Sequence, residues 1–427
     1  MKLRAVKGMN DILPDETRRW QRLEHVFRRT VEAYGYEELR TPVLEQKELF
    51  EKSTGETSEV VQKQMFTLER SGETLALRPE GTPSAARVYI GQSMHAREPE
   101  TRWYYVGPMF RAEQPQRGRY RQFHQAGCEL YGNPGPVCDA EMIDMLYRML
   151  VDLGIPNVQV NVNSLGGPNA RSLYRERLRA FFEPKRAELS PHAQERLADN
   201  PLRILDSKDP RDRAASDGAP VLLDVLDEDD QAHWRGLLQA LDALGTPYTV
   251  DPRLVRGLDY YTRTCFELTA QTGELGSQNA LLGGGRYDGM IESLGGPKTP
   301  AIGFAMGLER ILLALGELEV ARPELCFVAP LGEHAALEGV VLARRLRDRG
   351  LRVVLDGRDN SLKSKLRRAN SMGARWCLVF GDSELDRKIV QVKDLTAHKQ
   401  EELSPEEAVE RLAAENAQPP GAVGSRP

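Results

Sequence analysis

Cysteine is scarce in this chain, with five in 427 residues. Cys128, Cys138, Cys265, Cys326 and Cys377 contain no CxxC pair, and their number is odd. Both a disulfide framework and a zinc–thiolate site are therefore disfavoured, and a reducing compartment is expected. The opening MKLRAVKGMNDILPDE lacks the apolar run of a secretory signal. The most apolar long stretch, Ala301 to Leu315, is interrupted by Glu309 and Arg310. It falls short of the roughly 20 apolar residues that span a bilayer. A large charge excess is missing too: 58 Lys and Arg face 63 Asp and Glu, for a net charge of −5. That excludes a histone-like or polybasic membrane binder but leaves room for a nucleic-acid partner met by a local basic surface. No repeat of about 20–50 residues is present. The expectation is a cytoplasmic, soluble protein.

What is there is ordinary for a folded chain, with 40% hydrophobic and 28% charged residues. At roughly 150 residues per domain the length suggests two or three domains. Arg18 to Tyr34 carries Trp20, Leu23, Phe27 and Val31 three and four apart, which predicts an amphipathic helix stopping at Gly35. Arg102 to Glu113 and Tyr120 to Tyr131 read as two strands joined by the polar QPQRGR loop, an antiparallel hairpin with a long tip. From about residue 165 to 246 the chain is charged and helix-prone, a helical insertion. Strand-like sequence returns at Tyr248 to Leu268 and Gly303 to Met306, followed by a helix over Gly307 to Leu315. The pattern implies an α+β domain built on an antiparallel sheet over residues 1–320. A boundary near Glu317 to Pro323 then leads into a small C-terminal α/β domain over 325–415, where short apolar strands alternate with helices. Residues 416–427 read as a disordered tail. Within Arg344 to Arg375 eleven Lys and Arg stand against three acids.

Period-two alternation along Tyr120 to Tyr131 puts Arg121, Phe123, Gln125, Gly127 and Glu129 on one face, with Arg111 and Glu113 sharing a face of the partner strand. At about 3.3 Å per residue Arg121 to Glu129 spans up to roughly 26 Å. That face is either a solvated exterior or the lining of a cleft long enough for a nucleotide placed end to end with a second small molecule. Phe123, placed to stack on a base, and Gly127, which leaves a gap, favour the cleft. The triple glycine of LGGGRYDG (Leu282 to Gly289) would let backbone approach a ligand closely, but no Gly-Lys-Ser/Thr follows and it is not a Walker loop. In GFAMGLERILLAL, Leu308, Ile311, Leu312 and Leu315 form an apolar stripe. Arg310 lies off that stripe and reads, by periodicity alone, as a solvated surface residue.

These segments resemble the histidyl-tRNA synthetase family of class II aminoacyl-tRNA synthetases. GYEELRTPVLE (Gly35 to Glu45) resembles the first class II motif, which implies a homodimer interface. FRAEQPQRGRYRQFHQAGCE (Phe110 to Glu129) and GFAMGLERILLAL resemble the second and third. RGLDYYTRTCFE and GGGRYDGMIESLGG resemble the two segments peculiar to the histidine enzyme. The resemblance implies activation of L-histidine by ATP, with Mg²⁺, and transfer to tRNA(His), with no DNA or membrane partner. It implies Arg111 and Arg256 as catalytic groups at the α-phosphate, Arg121 and Arg310 on the outer phosphates, and Glu113 and Phe123 on the adenine. Glu80, Thr82 and Gln125 would hold the α-amino group, and Glu129 and Tyr261 the imidazole. Arg111, Arg256 and Tyr260 join them around histidine, and no protein-held metal is implied. The C-terminal domain with its basic stretch would bind the anticodon. The alternative is a catalytically inactive histidine-binding paralogue, the regulatory subunit of ATP phosphoribosyltransferase.

Overall fold

A computed structural model describes residues 3–54, 60–205, 207, 209–255, 260–272, 275, 279–316 and 324–416. The chain divides into two compact units, 1–318 and 319–427.

The first unit opens with helix α1 (Pro14–Ala33). Its start lies four residues before the expected one, because Pro14 occupies the first turn, where its missing N–H costs nothing, and Asp15 and Glu16 face the positive helix end. It ends as expected: Gly35 takes φ +78° and its N–H donates to the Glu32 carbonyl. The strands are β1 (Glu37–Glu38), β2 (Leu44–Gln46), β3 (Phe66–Arg70), β4 (Glu73–Leu77), β5 (Thr101–Phe110), β6 (Gln122–Tyr131), β7 (Val158–Ser164), β8 (Thr249–Val250), β9 (Thr262–Ala270), β10 (Ala280–Arg286) and β11 (Ala301–Gly307). Eight of them form one sheet in the order β1-β5-β6-β11-β10-β9-β7-β8. Its ladders are antiparallel except at the two ends, where β1 runs parallel to β5 and β8 parallel to β7. The expected hairpin is β5–β6, shorter at its tip than the sequence suggested, with Trp103 opposite Glu129 and Met109 opposite Phe123. The expected strand Tyr248 to Leu268 divides into β8 and β9.

One face of this sheet is the main core. The even-numbered residues of β6, Ala126, Cys128 and Leu130, are buried against Trp20, Leu23, Phe27 and Val31 of α1. Ile143, Leu146 and Leu150 of α3 (Pro136–Asp152) join them; α2 (Thr82–Gly91) lies in the other direction, beside β6. In the insertion, α4 (Pro168–Phe182) presents Ala170, Tyr174, Leu178 and Phe182 at four-residue spacing to a separate core with Leu197, Leu222 and Leu226. The last insertion helix, α5 (Glu228–Leu244), instead buries Leu237 and Leu241 in the main core. Helix α6 (Leu308–Ala314) follows β11 directly and closes that core with Leu308, Ile311 and Leu312.

The second unit carries a five-stranded sheet of β12 (Leu325–Leu331), β13 (Arg352–Leu355), β14 (Ala374–Gly381), β15 (Val390–Asp394) and β16 (Lys399–Leu403), in the order β13-β12-β14-β15-β16. The parallel trio β13-β12-β14, with α7 (Glu333–Asp348) and α8 (Leu362–Ser371) as crossovers, is the α/β pattern the sequence announced. The antiparallel pair β15–β16 and α9 (Pro405–Asn416) were not foreseen, because their strands are short and rich in polar residues. Helix α9 and flanking segments also neutralise much of the basic stretch: Arg345 pairs with Glu406 at 2.8 Å, Arg349 with Glu410, and Arg375 with Glu324 and Glu415. Arg347, Arg352, Lys363 and Arg367 remain exposed without a carboxylate partner among the described residues.

Candidate active site

The odd-numbered face of β6 is polar, as the alternation required, and it is not a solvated exterior. Glu129 is 0% exposed and Gln125 is 6% exposed. Burying a carboxyl is costly unless it is hydrogen-bonded, and Glu129 is held at both oxygens. Tyr105 donates its hydroxyl to Oε1 at 3.1 Å, and Tyr287 donates to Oε2. Burial pushes the Glu129 pKa up to about 8, against the pull of those hydroxyls and of Thr82. Room for this arrangement comes from missing side chains. A Cβ on Gly303 would stand 1.9 Å from Glu129 Oε2, one on Gly127 2.6 Å from the Tyr105 hydroxyl, and one on Gly81 2.2 Å from the Tyr105 ring.

A second buried carboxyl lies alongside. Glu80 is 4% exposed, and burial raises its pKa to about 7, with Arg111's charge and a Tyr260 hydrogen bond opposing. Its Oε1 has no hydrogen-bond partner among the described residues, so a cationic or N–H donor group is what this oxygen lacks. Thr82 starts α2 and its hydroxyl lies 3.5 Å from that of Tyr105. Gln125 accepts from the Gly81 N–H at 3.0 Å, which turns its amide group. Tyr261 is 7% exposed and its ring lies 4.6 Å from that of Tyr260.

Toward the hairpin tip the charge reverses. Arg111 is fixed by donating Nε–H to the Pro79 carbonyl at 3.0 Å, and its guanidinium lies 5.3 Å from the centre of the Phe123 ring. Arg121 donates to the Glu113 carbonyl at 3.2 Å, and Arg119 lies 3.8 Å from the Glu113 carboxylate. Arg310 is half-buried rather than solvated, and it donates to the Ala280 carbonyl at 2.8 Å. Burial, with Arg119 next and Arg111 also contributing, lowers its pKa, while Glu267 and Glu113 act against the shift. Periodicity misjudged Arg310 because α6 leaves the sheet at β11, so its off-stripe side faces β10 instead of water. One strand thus runs from a half-open cluster of guanidiniums to a buried pair of carboxyls. The first suits phosphate and carboxylate groups; the second suits a small group carrying N–H donors.

The structure therefore brings together Glu80, Thr82, Gln125, Glu129, Tyr260 and Tyr261 in one region and Arg111, Glu113, Arg121, Phe123 and Arg310 in the next. Arg256 lies outside the described residues. Tyr105 and Tyr287 were missed by sequence reasoning, although the hairpin register places Tyr105 directly opposite Gly127 on the polar face. The triple glycine has a different use from the expected one. A Cβ on Gly284 would meet the Gly303 carbonyl at 2.2 Å, and one on Gly285 the Thr264 carbonyl at 2.4 Å. These glycines admit neighbouring strands. Arg286 beside them is fully buried, bound to Asp139 at 2.7 Å, and Asp139 also accepts from Thr264 at 2.5 Å and lies 2.9 Å from His233.

The family model described as histidyl-tRNA synthetase matches residues 8–311, and one described as an anticodon binding domain matches 325–415. The chain is 55% identical to the histidine–tRNA ligase of Sorangium cellulosum (strain So ce56), over all of both proteins. It is 42% identical to that of Desulfitobacterium hafniense (strain DSM 10664 / DCB-2), covering 94% of this chain and 96% of the other. The crystal structure of apo S. aureus histidyl-tRNA synthetase superposes with a TM-score of 0.82 at 34% identity, covering 96% of this chain and all of that one.

Proposed function

Because the chain belongs to the histidyl-tRNA synthetase family, we propose that the polar face of β6 is the floor on which histidine and ATP are joined. The protein is a histidine–tRNA ligase. It activates L-histidine with ATP to histidyl-adenylate and pyrophosphate, then transfers histidine to the 3′ terminal adenosine of its tRNA. The inactive regulatory paralogue is not favoured, since the full-length likeness is to ligases and the 325–415 module is present.

Adenylate formation is an in-line attack of one anion on another, with charge building on phosphate oxygens and little proton transfer. Positioning and fixed positive charge are therefore the protein's contribution. Arg111, rigidly held at Pro79, stands between the two subsites and is the group to bridge the substrate carboxylate and the α-phosphate. Arg256 is assigned the opposite side of the α-phosphate, by resemblance. Arg121 and Arg310 take the outer phosphates, Glu113 the adenine amino group, and Phe123 the base. Mg²⁺ travels with ATP, bound through phosphate oxygens and water. The ion is assigned to the nucleotide by resemblance to the family.

In the carboxyl subsite the open Glu80 oxygen takes the α-ammonium with Thr82 and Gln125, and Glu129 takes one imidazole nitrogen, with Tyr261 toward the other. An apolar side chain would leave these buried groups unpaired, a discrimination of roughly 10⁴ or more. The exposed Arg347, Arg352, Lys363 and Arg367 of the basic stretch are the groups left to meet RNA phosphates. The homodimer is proposed through Gly35 to Glu45, where β1 is the sheet's edge strand and Leu44 is exposed. No helix among the described residues is long and apolar enough to cross a membrane, in keeping with the proposed cytoplasmic location.

The observation that carries the site assignment is Glu129, fully buried yet held by two tyrosine hydroxyls at the end of a strand whose other end bears arginines. ATP–pyrophosphate exchange across a panel of amino acids tests it: exchange should depend on histidine and be lost in Glu129→Ala. Exchange supported equally by proline, or undiminished in the variant, would overturn it.

A further inference from the structure

Strand β9 does not pair evenly with β10. The ladder runs as far as Gly285 opposite Cys265 and then jumps to Arg286 opposite Thr262. Arg263 and Thr264 are left as a bulge, and Arg263 has φ +46°, a left-handed backbone conformation that residues other than glycine seldom adopt. Such a conformation persists only where the surroundings over-determine it, and bulges beside sites commonly re-aim the neighbouring side chains.

The surroundings here are the insertion. Its entry segment pins the bulge from both directions: the Leu165 N–H donates to the Arg263 carbonyl at 2.6 Å, and the Arg263 N–H donates to the Gly166 carbonyl at 3.0 Å. Asp230 of α5 accepts from the Arg263 side chain at 2.9 Å and from the Gly167 N–H at 2.6 Å. From the first turn of α4, Arg171 donates to the carbonyl of Tyr261 at 2.7 Å. Tyr261 and its neighbour Tyr260 are the residues that enter the carboxyl subsite, Tyr260 through its hydrogen bond to Glu80.

We propose that the helical insertion braces the histidine subsite, with Arg171 the positioning residue that sets Tyr260 and Tyr261 through the Tyr261 carbonyl. The inference rests on the functional reading above and gives the insertion a role in amino-acid binding. The guanidinium touches neither substrate. It holds a peptide unit next to the bulge, so its loss frees the two tyrosines while the arginine cluster at the β5–β6 hairpin tip and on α6 is left as it was.

Arg171 is half-buried, so substitution is compatible with folding. Steady-state exchange is measured on the full-length protein, with histidine and ATP varied separately, for wild type, Arg171→Gln and Arg171→Lys. Arg171→Gln should raise the histidine KM about tenfold or more, the scale of one charge-assisted hydrogen bond, with the ATP KM and kcat nearly unchanged. Arg171→Lys, which keeps a charged donor, should recover most of the loss. A histidine KM unmoved in both variants, or histidine and ATP constants rising together, overturns the brace while leaving the function intact. A wild-type protein without histidine-dependent exchange overturns the functional reading first.

Discussion

Tyr287→Phe isolates one atom of the proposed histidine subsite. The ring packs edge-on against Tyr131 and Tyr260, with centroids 6.4 and 5.8 Å away, so phenylalanine fits the same space and what is lost is the hydroxyl that donates to Glu129 Oε2 and lies beside the Tyr131 hydroxyl. A hydrogen bond to an ionised group contributes about 1.5–3 kcal/mol, which is about 10–150-fold at 1.4 kcal/mol per decade. The expected result is a fall of that size in kcat/KM for histidine, with the ATP KM barely changed. The pH dependence carries a second signature. Burial holds the Glu129 pKa up at about 8, and Tyr287 is the strongest of the contacts holding it down; removing it moves that value higher. Imidazole titrates near 6.5. If the complex holds one proton between Glu129 and the imidazole, the free partners carry that count only between those two values. The profile of kcat/KM should therefore peak between about 6.5 and 8 in wild type, and its alkaline limb should move upward in the variant. The assay is histidine-dependent exchange from about pH 6 to 10. An unchanged kcat/KM, or an alkaline limb that moves down, would refute the reasoning.

Gly303→Ala would drive a methyl to 1.9 Å from Glu129 Oε2 and 2.7 Å from the Cys128 carbonyl, which is locked in the β6–β11 ladder. It should destabilise the protein by about 1–3 kcal/mol and remove histidine-dependent exchange; wild-type melting together with wild-type exchange would contradict this. Glu80 and Glu129 both bind protons more tightly folded than unfolded, with values of about 7 and about 8 against an ordinary 4.5. The native state therefore holds extra protons between about pH 4.5 and 8, and stability without ligand should fall as pH rises through that window. Urea titrations of Glu80→Gln should show a shallower decline, and an unchanged slope would count against the assignment. A chain ending after Leu318 should keep exchange but lose efficient charging of tRNA; undiminished charging would refute an anticodon-binding role for the second unit.

How far these features could be read from the sequence depended on whether their cause was local. The two faces of β6 followed from alternation, because a strand inside a sheet must place neighbouring side chains on opposite sides, and Glu129 came with that face. Helix α1 announced its buried stripe and its glycine stop, missing only a start hidden by Pro14. Tyr105 and Tyr287 escaped because their meaning lies in what they touch: one matters through the cross-strand register that sets it over Gly127, the other through a loop packed back beneath β6. Arg310 was misjudged for the same reason, since a helical wheel cannot say that the far side of α6 faces another strand. The basic stretch of the second unit read as a strong local charge, and the acids that cancel much of it sit on α9, dozens of residues later.

The glycines around Glu129 carry an evolutionary consequence. The carboxylate and the Tyr105 ring that holds it fit only because three positions from different strands and loops have no side chain, so none of those positions can drift singly, and converting the cavity to another amino acid would require coordinated replacements across the sheet. Specificity of this kind is written in vacancies, and a laboratory effort to retarget the enzyme would do better to refill them together than to exchange the acid alone.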